Sequence, residues 1–159
     1  MLKIIGAAVV ILSATFYGMG KYFSFFERKK ALAEILDGAR RISSKISVLN
    51  APLHELFQGC GAFFEKASEG ILSGTLPEEA VNSVALSEYA LKKDDRRIIE
   101  RFASGLCATS CEEQKSNLSV FIDELEKSLA KASAELDGKG VLCVKGSILA
   151  AAATVLLLI

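Results

Sequence analysis

The sequence predicts an all-α protein, a compact bundle of about six helices flanked by two terminal transmembrane helices. Three observations predict it. Residues Ile4 to Gly20 (IIGAAVVILSATFYGMG) carry no charge, and Val141 to Ile159 (VLCVKGSILAAAATVLLLI) carry only Lys145. Nearly all the charge falls between Lys21 and Lys139. Within that stretch apolar residues recur every three or four positions, the period of a helix, and no strand-like alternation or hairpin dipeptide intrudes. The chain divides accordingly into an amino-terminal membrane segment with its flank (1–26), a cytosolic helical bundle domain (27–139) and a carboxy-terminal membrane segment (140–159).

At about 1.5 Å per residue the two apolar segments cover roughly 26 Å and roughly 28 Å, against a hydrocarbon core of about 30 Å. Local thinning, or pairing of the two helices, absorbs the deficit. Lys145 lies one turn inside the second segment, where its long stem carries the ammonium back to the polar side. A cleavable signal peptide is a poor reading of the first segment. Only Lys3 precedes the apolar run, while Lys21, Arg28, Lys29 and Lys30 follow it. That basic flank, with Lys127, Lys131 and Lys139 ahead of the second segment, places the middle domain in the cytoplasm and both termini outside.

The middle reads helix by helix. Leu32, Ile35, Leu36, Ala39, Ile42, Ile46 and Leu49 form one apolar stripe. No proline separates it from the first membrane segment, so the two are expected to join as a rod, with Gly18, Gly20 and Gly38 as points where it could bend. Asn50-Ala51-Pro52 ends this helix and opens the next, which carries Leu53, Leu56, Phe57 and Cys60. Gly59 and Gly61 mark a break before a third helix, Ala62 to Leu72, closed by Ser73-Gly74. Thr75-Leu76-Pro77-Glu78 has the capping-box pattern that opens a fourth. Asp94 is placed to cap a fifth, whose buried side is Ile98, Ile99, Phe102 and Leu106. Ser110-Cys111-Glu112-Glu113 opens the longest soluble helix, with a stripe of Leu118, Phe121, Ile122, Leu125, Leu129, Ala132 and Leu136 that crosses Gly138 and Gly140 into the second membrane segment.

The first and last soluble helices carry opposite charge. From Lys21 to Leu49 there are seven basic residues against three acidic; from Glu112 to Asp137 there are seven acidic against three basic. Both adjoin a membrane segment, so they are expected side by side and antiparallel. Their apolar stripes must do most of the holding, because exposed ion pairs contribute only about 0–1 kcal/mol each.

The chemistry-bearing motifs are scarce. The sequence lacks a Walker A loop, GxSxG, HExxH and GxGxxG. His54 is the single histidine, beside Glu55, and adjacent helical residues point about 100° apart, which does not suit a proton relay. Cys60, Cys107, Cys111 and Cys143 form no CxxC and read as reduced, partly buried thiols. No catalytic residue, cofactor or metal site is therefore expected. With 19 basic and 19 acidic residues the net charge is zero, which gives no nucleic-acid signature. Two charged runs stand out: Lys92, Lys93, Asp94, Asp95, Arg96 and Arg97, and the pair Glu78 and Glu79. Each reads either as a solvated helix start, with acids at the end the helix dipole favours, or as a docking patch for a partner protein.

The opening MLKIIGAAVVILSAT, the following Arg-Lys-Lys-Ala-Leu, the Pro52-Leu53-His54-Glu55 start and the long closing helix ending in LLLI resemble the stage III sporulation protein AB family. The resemblance spans essentially the whole chain. It implies a soluble domain similar to the cytoplasmic domain of the type II secretion platform protein. It further implies a place in the channel between mother cell and forespore, in the mother-cell membrane surrounding the forespore, with the domain facing the mother-cell cytoplasm. The implied partners are a stage III sporulation protein AA-like ATPase, other stage III channel subunits and the lipid bilayer. The expected function is that of a non-enzymatic platform subunit docking the ATPase through Glu78, Glu79 and Lys92 to Arg97. The competing reading is an exported, carboxy-terminally anchored binding module or sensor.

Overall fold

The computed structural model describes residues 2–46, 52–87, 89–107 and 111–158, and these hold helices and turns without a strand. The elements are α1 (Leu2–Ile46), α2 (Leu53–Phe57), α3 (Ala62–Leu72), α4 (Pro77–Ser87), α5 (Lys93–Ser104), α6 (Cys111–Glu135) and α7 (Val141–Leu158). A 3₁₀ turn, Gly105–Cys107, ends α5, and a π-helical turn, Leu136–Gly140, joins α6 to α7. The predicted all-helical class and the sequence of helices hold. Asn50-Ala51 and Ser110, where caps are expected, and Leu49, the last residue of the first stripe, lie outside the described residues.

Two compact units make up the chain: Lys30–Ala130, and Met1–Lys29 together with Lys131–Ile159. In the first, the stripes read from the sequence form the core. Leu32, Ile35, Leu36, Ala39 and Ile42 of α1 are buried, as are Leu118, Phe121, Leu125 and Ser128 of α6. Phe63, Phe64 and Ala67 of α3, and Ala80, Val81, Val84 and Ala85 of α4, complete it with Ile99, Phe102 and Ala103 of α5. Four phenylalanines, Phe57, Phe63, Phe64 and Phe121, lose all or nearly all their exposure, worth about 1.5–3 kcal/mol each in removed apolar surface. Their rings meet in specific pairs: Phe63 edge-on to Phe64 at 5.0 Å between centroids, and Phe102 stacked on Phe121 at 4.1 Å. Ile98 and Leu106, expected in this core, are only half-buried at its edge.

Ile42 and Ile46 of α1 share a crevice with Asn117 and Leu118 of α6, and Arg40 reaches Glu126 at 2.7 Å, so the two helices run antiparallel as expected. Helix α1 passes through Gly18, Gly20 and Gly38 without a break. Gly38 has a different job from bending. A side chain there would collide with the Cys60 carbonyl and the Phe64 ring, so only hydrogen lets α3 approach this closely. The α2–α3 break falls where expected, with Gly59 at φ 69° and Gly61 at φ 102°, backbone conformations L side chains rarely adopt.

Two helix starts differ from expectation by one or two residues. The Leu76 carbonyl accepts the Ala80 amide and Pro77 takes the first helical position, so α4 begins after Leu76 and not after Thr75. In α5, Lys92 precedes the first turn with extended backbone, and the carboxylate that closes back onto it belongs to Asp95, not Asp94.

In the second unit, the beginning of α1 pairs with α7. A side chain at Gly18 would run into Ser147 and the Cys143 carbonyl, while Gly140 faces Tyr22 and Phe25. These contacts fall in reverse sequence order, so the pairing is an antiparallel hairpin. Arg28, buried, donates to Glu135 at 2.5 Å, and Lys139 approaches the other Glu135 oxygen at 3.7 Å. The hydroxyls of Ser13, Thr15, Ser147 and Thr154 donate to carbonyls three or four residues earlier in their own helices, which leaves the side faces apolar. Those faces are bare. Phe16, Tyr17, Leu149 and Leu156 are 69–78 % exposed. Among the described residues one helical stretch, Glu112–Leu156, is long and apolar enough to cross a membrane. The predicted first span, Ile4 to Gly20, includes side chains (4, 5, 7, 8 and 10) outside the described ones.

Candidate partner-docking surface

The charged runs lie on consecutive helices, α4 and α5, and the segment between them is tied to the core. The Tyr89 hydroxyl donates to Glu34 of α1 at 2.9 Å, and its ring meets Phe63 edge-on. Burial, reinforced by the neighbouring Glu34 carboxylate, pushes the Tyr89 hydroxyl well above its usual pKa. Leu91 is buried two residues later. Asp95 then anchors the first turn of α5. One carboxylate oxygen accepts the Lys92 amide at 3.0 Å and the other accepts the Ser128 hydroxyl from α6. Charged groups downstream are thus presented from a fixed helix.

The same geometry corrects the list of exposed groups. Asp95 is 0 % exposed and its oxygens are engaged inside the fold, so it is an anchor and not part of a docking surface. Arg96 is half-buried, with its Nε atom enclosed. Lys92, Lys93, Asp94 and Arg97 face solvent, and Asp94 lies 3.8 Å from Arg97 one turn on. Arg101 extends the basic side of α5 but is drawn to Glu124 of α6.

Glu78 and Glu79 are exposed in the first turn of α4. They border an open groove shared with Leu76, Asn82, Ser83 and Leu86. Leu76 and Leu86 are 63 % and 57 % exposed. On α4 the buried residues are Ala80, Val81, Val84 and Ala85, and Leu86 is off that stripe. An acidic rim around exposed leucines suits a partner segment that is both basic and apolar.

The remaining candidates are ordinary structure. His54 comes within 4.0 Å of Glu55, and its backbone carbonyl accepts the Ser68 hydroxyl. Cys60 is buried and its thiol donates to the Leu56 carbonyl at 3.1 Å. Cys143 is half-buried on α7, and the side chains of Cys107 and Cys111 lie outside the described ones. Among the described residues no three His, Cys, Asp or Glu side chains gather where they could share a metal ion.

No curated protein matches the sequence. Among solved structures, one titled "Stage III sporulation protein AB (SpoIIIAB)" is similar at a TM-score of 0.60 and 18 % identity, covering 69 % of this chain and 96 % of that one. At that identity the likeness shows the fold alone. The family model described as stage III sporulation protein AB matches residues 3–159. A match over nearly the whole length is decisive: the chain belongs to the stage III sporulation protein AB family.

Proposed function

We propose that this protein is a non-enzymatic platform subunit of a mother cell–forespore channel, held in the mother-cell membrane by a hairpin of its two ends. In this reading residues 1–26 and 140–159 are the membrane segments, and residues 27–139 form a domain on the mother-cell cytoplasmic side that docks a secretion-type ATPase. Family membership supports the sporulation role. The observation that carries the architecture is the contrast between the two units. One gathers Phe57, Phe63, Phe64, Phe121 and the aliphatic stripes into a buried core and exposes only scattered apolar side chains such as Leu72, Leu76, Leu86 and Val120, while the other leaves Phe16, Tyr17, Leu149 and Leu156 mostly bare. Surface of that kind is stable in hydrocarbon and costly in water.

The basic start of α5 and the acidic, leucine-containing groove of α4 supply the docking surface. Both are carried by helices fixed to the core. Charge reversal of Lys92, Lys93 and Arg97 to glutamate is expected to reduce capture of the stage III AA-like ATPase from membranes by about tenfold or more, while the circular dichroism spectrum stays that of the parent. Glu78→Lys with Glu79→Lys tests the other patch in the same assay. Undiminished capture by both variants would remove these helices as the ATPase surface.

A further inference from the structure

We propose that the hairpin unit selects anionic phospholipids, through a collar of lysine ammoniums that α1 and α7 set at one level of its surface; this rests on the membrane reading above. The unit formed by residues 1–29 and 131–159 carries seven basic and three acidic residues, a net charge of +4 (7 − 3). Because the whole chain is neutral, the other unit carries −4. The hairpin's acids do little to cancel its charge. Glu135 is already engaged by Arg28 and Lys139, and Glu27 and Asp137 stand on α1 and the π-helical turn beyond the level of the collar.

Two lysines define the collar. Gly18 faces Ser147 and Cys143, and Gly140 faces Tyr22 and Phe25, so Lys21 and Lys145 fall within about one helical turn of each other, roughly 5 Å along the hairpin. Both are exposed. The Lys21 ammonium leans over the Tyr17 ring at 6.0 Å, toward the apolar end of α1. Lys145 shares its face of α7 with Leu142 and Leu149, which are 68 % and 71 % exposed. Each ammonium is thus set in apolar surface on its own helix.

Such an ammonium needs an oxygen partner at the membrane surface, and lipid phosphates are the abundant one. Zwitterionic headgroups bring a cation of their own beside the phosphate, which repels a lysine. Headgroups of net negative charge bring none. Tyr17, one turn before Lys21 and 69 % exposed, is of the kind that settles at the headgroup boundary.

The test uses the full chain in bilayers of mixed phosphatidylcholine and phosphatidylglycerol, with spin-labelled versions of each lipid reporting the fraction held at the protein surface. The account expects the labelled phosphatidylglycerol to be favoured by about fivefold at low salt, with the preference falling as salt is raised. Lys21→Gln with Lys145→Gln is expected to bring the ratio close to one while helicity is unchanged. Equal retention of the two lipids by the parent chain would overturn the proposal, as would a full preference surviving in the double variant. Alkaline carbonate extraction of the same bilayers separates the two levels of the argument. A chain that stays in the bilayer but shows no preference sinks the lipid selectivity alone, and a chain that washes off sinks the membrane reading with it.

Discussion

Asp95 shows how far a single residue's role depends on its surroundings. In the sequence it is one of six consecutive charges, and periodicity gives no reason to separate it from Asp94. In the fold it is fully buried, holding the Lys92 amide and the Ser128 hydroxyl, while its neighbour stands in solvent. The distinction rests on which residue occupies the third position of the first turn and on a serine 33 residues away, neither of which spacing alone reveals. Asp95→Ala is therefore expected to destabilise the bundle by about 1–3 kcal/mol, read from denaturant unfolding of the full chain in detergent, while Asp94→Ala changes it by less than about 0.5 kcal/mol. Equal effects at the two positions would contradict the assignment. Gly38 is the second such residue. Its location suggests a bend, yet its function is close approach, because a methyl group there meets Cys60 and Phe64. Gly38→Ala is expected to cost about 1–3 kcal/mol, measured the same way, which is more than the small helix-propensity gain it brings.

At the scale of elements, the sequence is most legible where periodicity is long. The stripes on α1 and α6 are buried apart from the half-buried Ile46, Ile122 and Leu129, and the antiparallel pairing of those helices follows from each adjoining an apolar end of the chain, with opposite charge favouring it. Glycine and proline punctuation locates the α2–α3 break and the start of α4 to within a residue. What spacing leaves hidden is the outer face of short helices. Leu76 and Leu86 look like ordinary apolar residues until α4 is docked and its inner face proves to be filled by others. The same logic ranks the forces holding the elements. Phe64→Ala, at a fully buried ring in contact with Phe57 and Phe63, is expected to cost about 3–5 kcal/mol in the same unfolding assay. Arg40→Ala, which removes an exposed pair with Glu126, is expected to cost at most about 1 kcal/mol. If removing the ion pair proved the more damaging change, charge and not packing would be what joins α1 to α6.

For the molecule as a whole, composition already separates two environments: charge in the middle and apolar residues at the ends. The fold adds that the end segments meet each other as a hairpin, through Gly18 and Gly140, and that their outward faces are left without cover. The family is named for a stage of development and not for a reaction. A platform function demands little chemistry of its side chains; it needs a rigid bundle held at a fixed place with a charged face turned toward a partner. Everything in that account depends on which side of the membrane the bundle occupies. The direct test puts single reporter cysteines at the exposed positions Ser73, Ser87 and Ser104 in a cysteine-free background, and labels intact cells with a membrane-impermeant thiol reagent. The account predicts protection at all three until the membrane is permeabilised, then labelling at all three. Labelling of all three in intact cells would place the bundle outside and contradict both the hairpin topology and its ATPase partner.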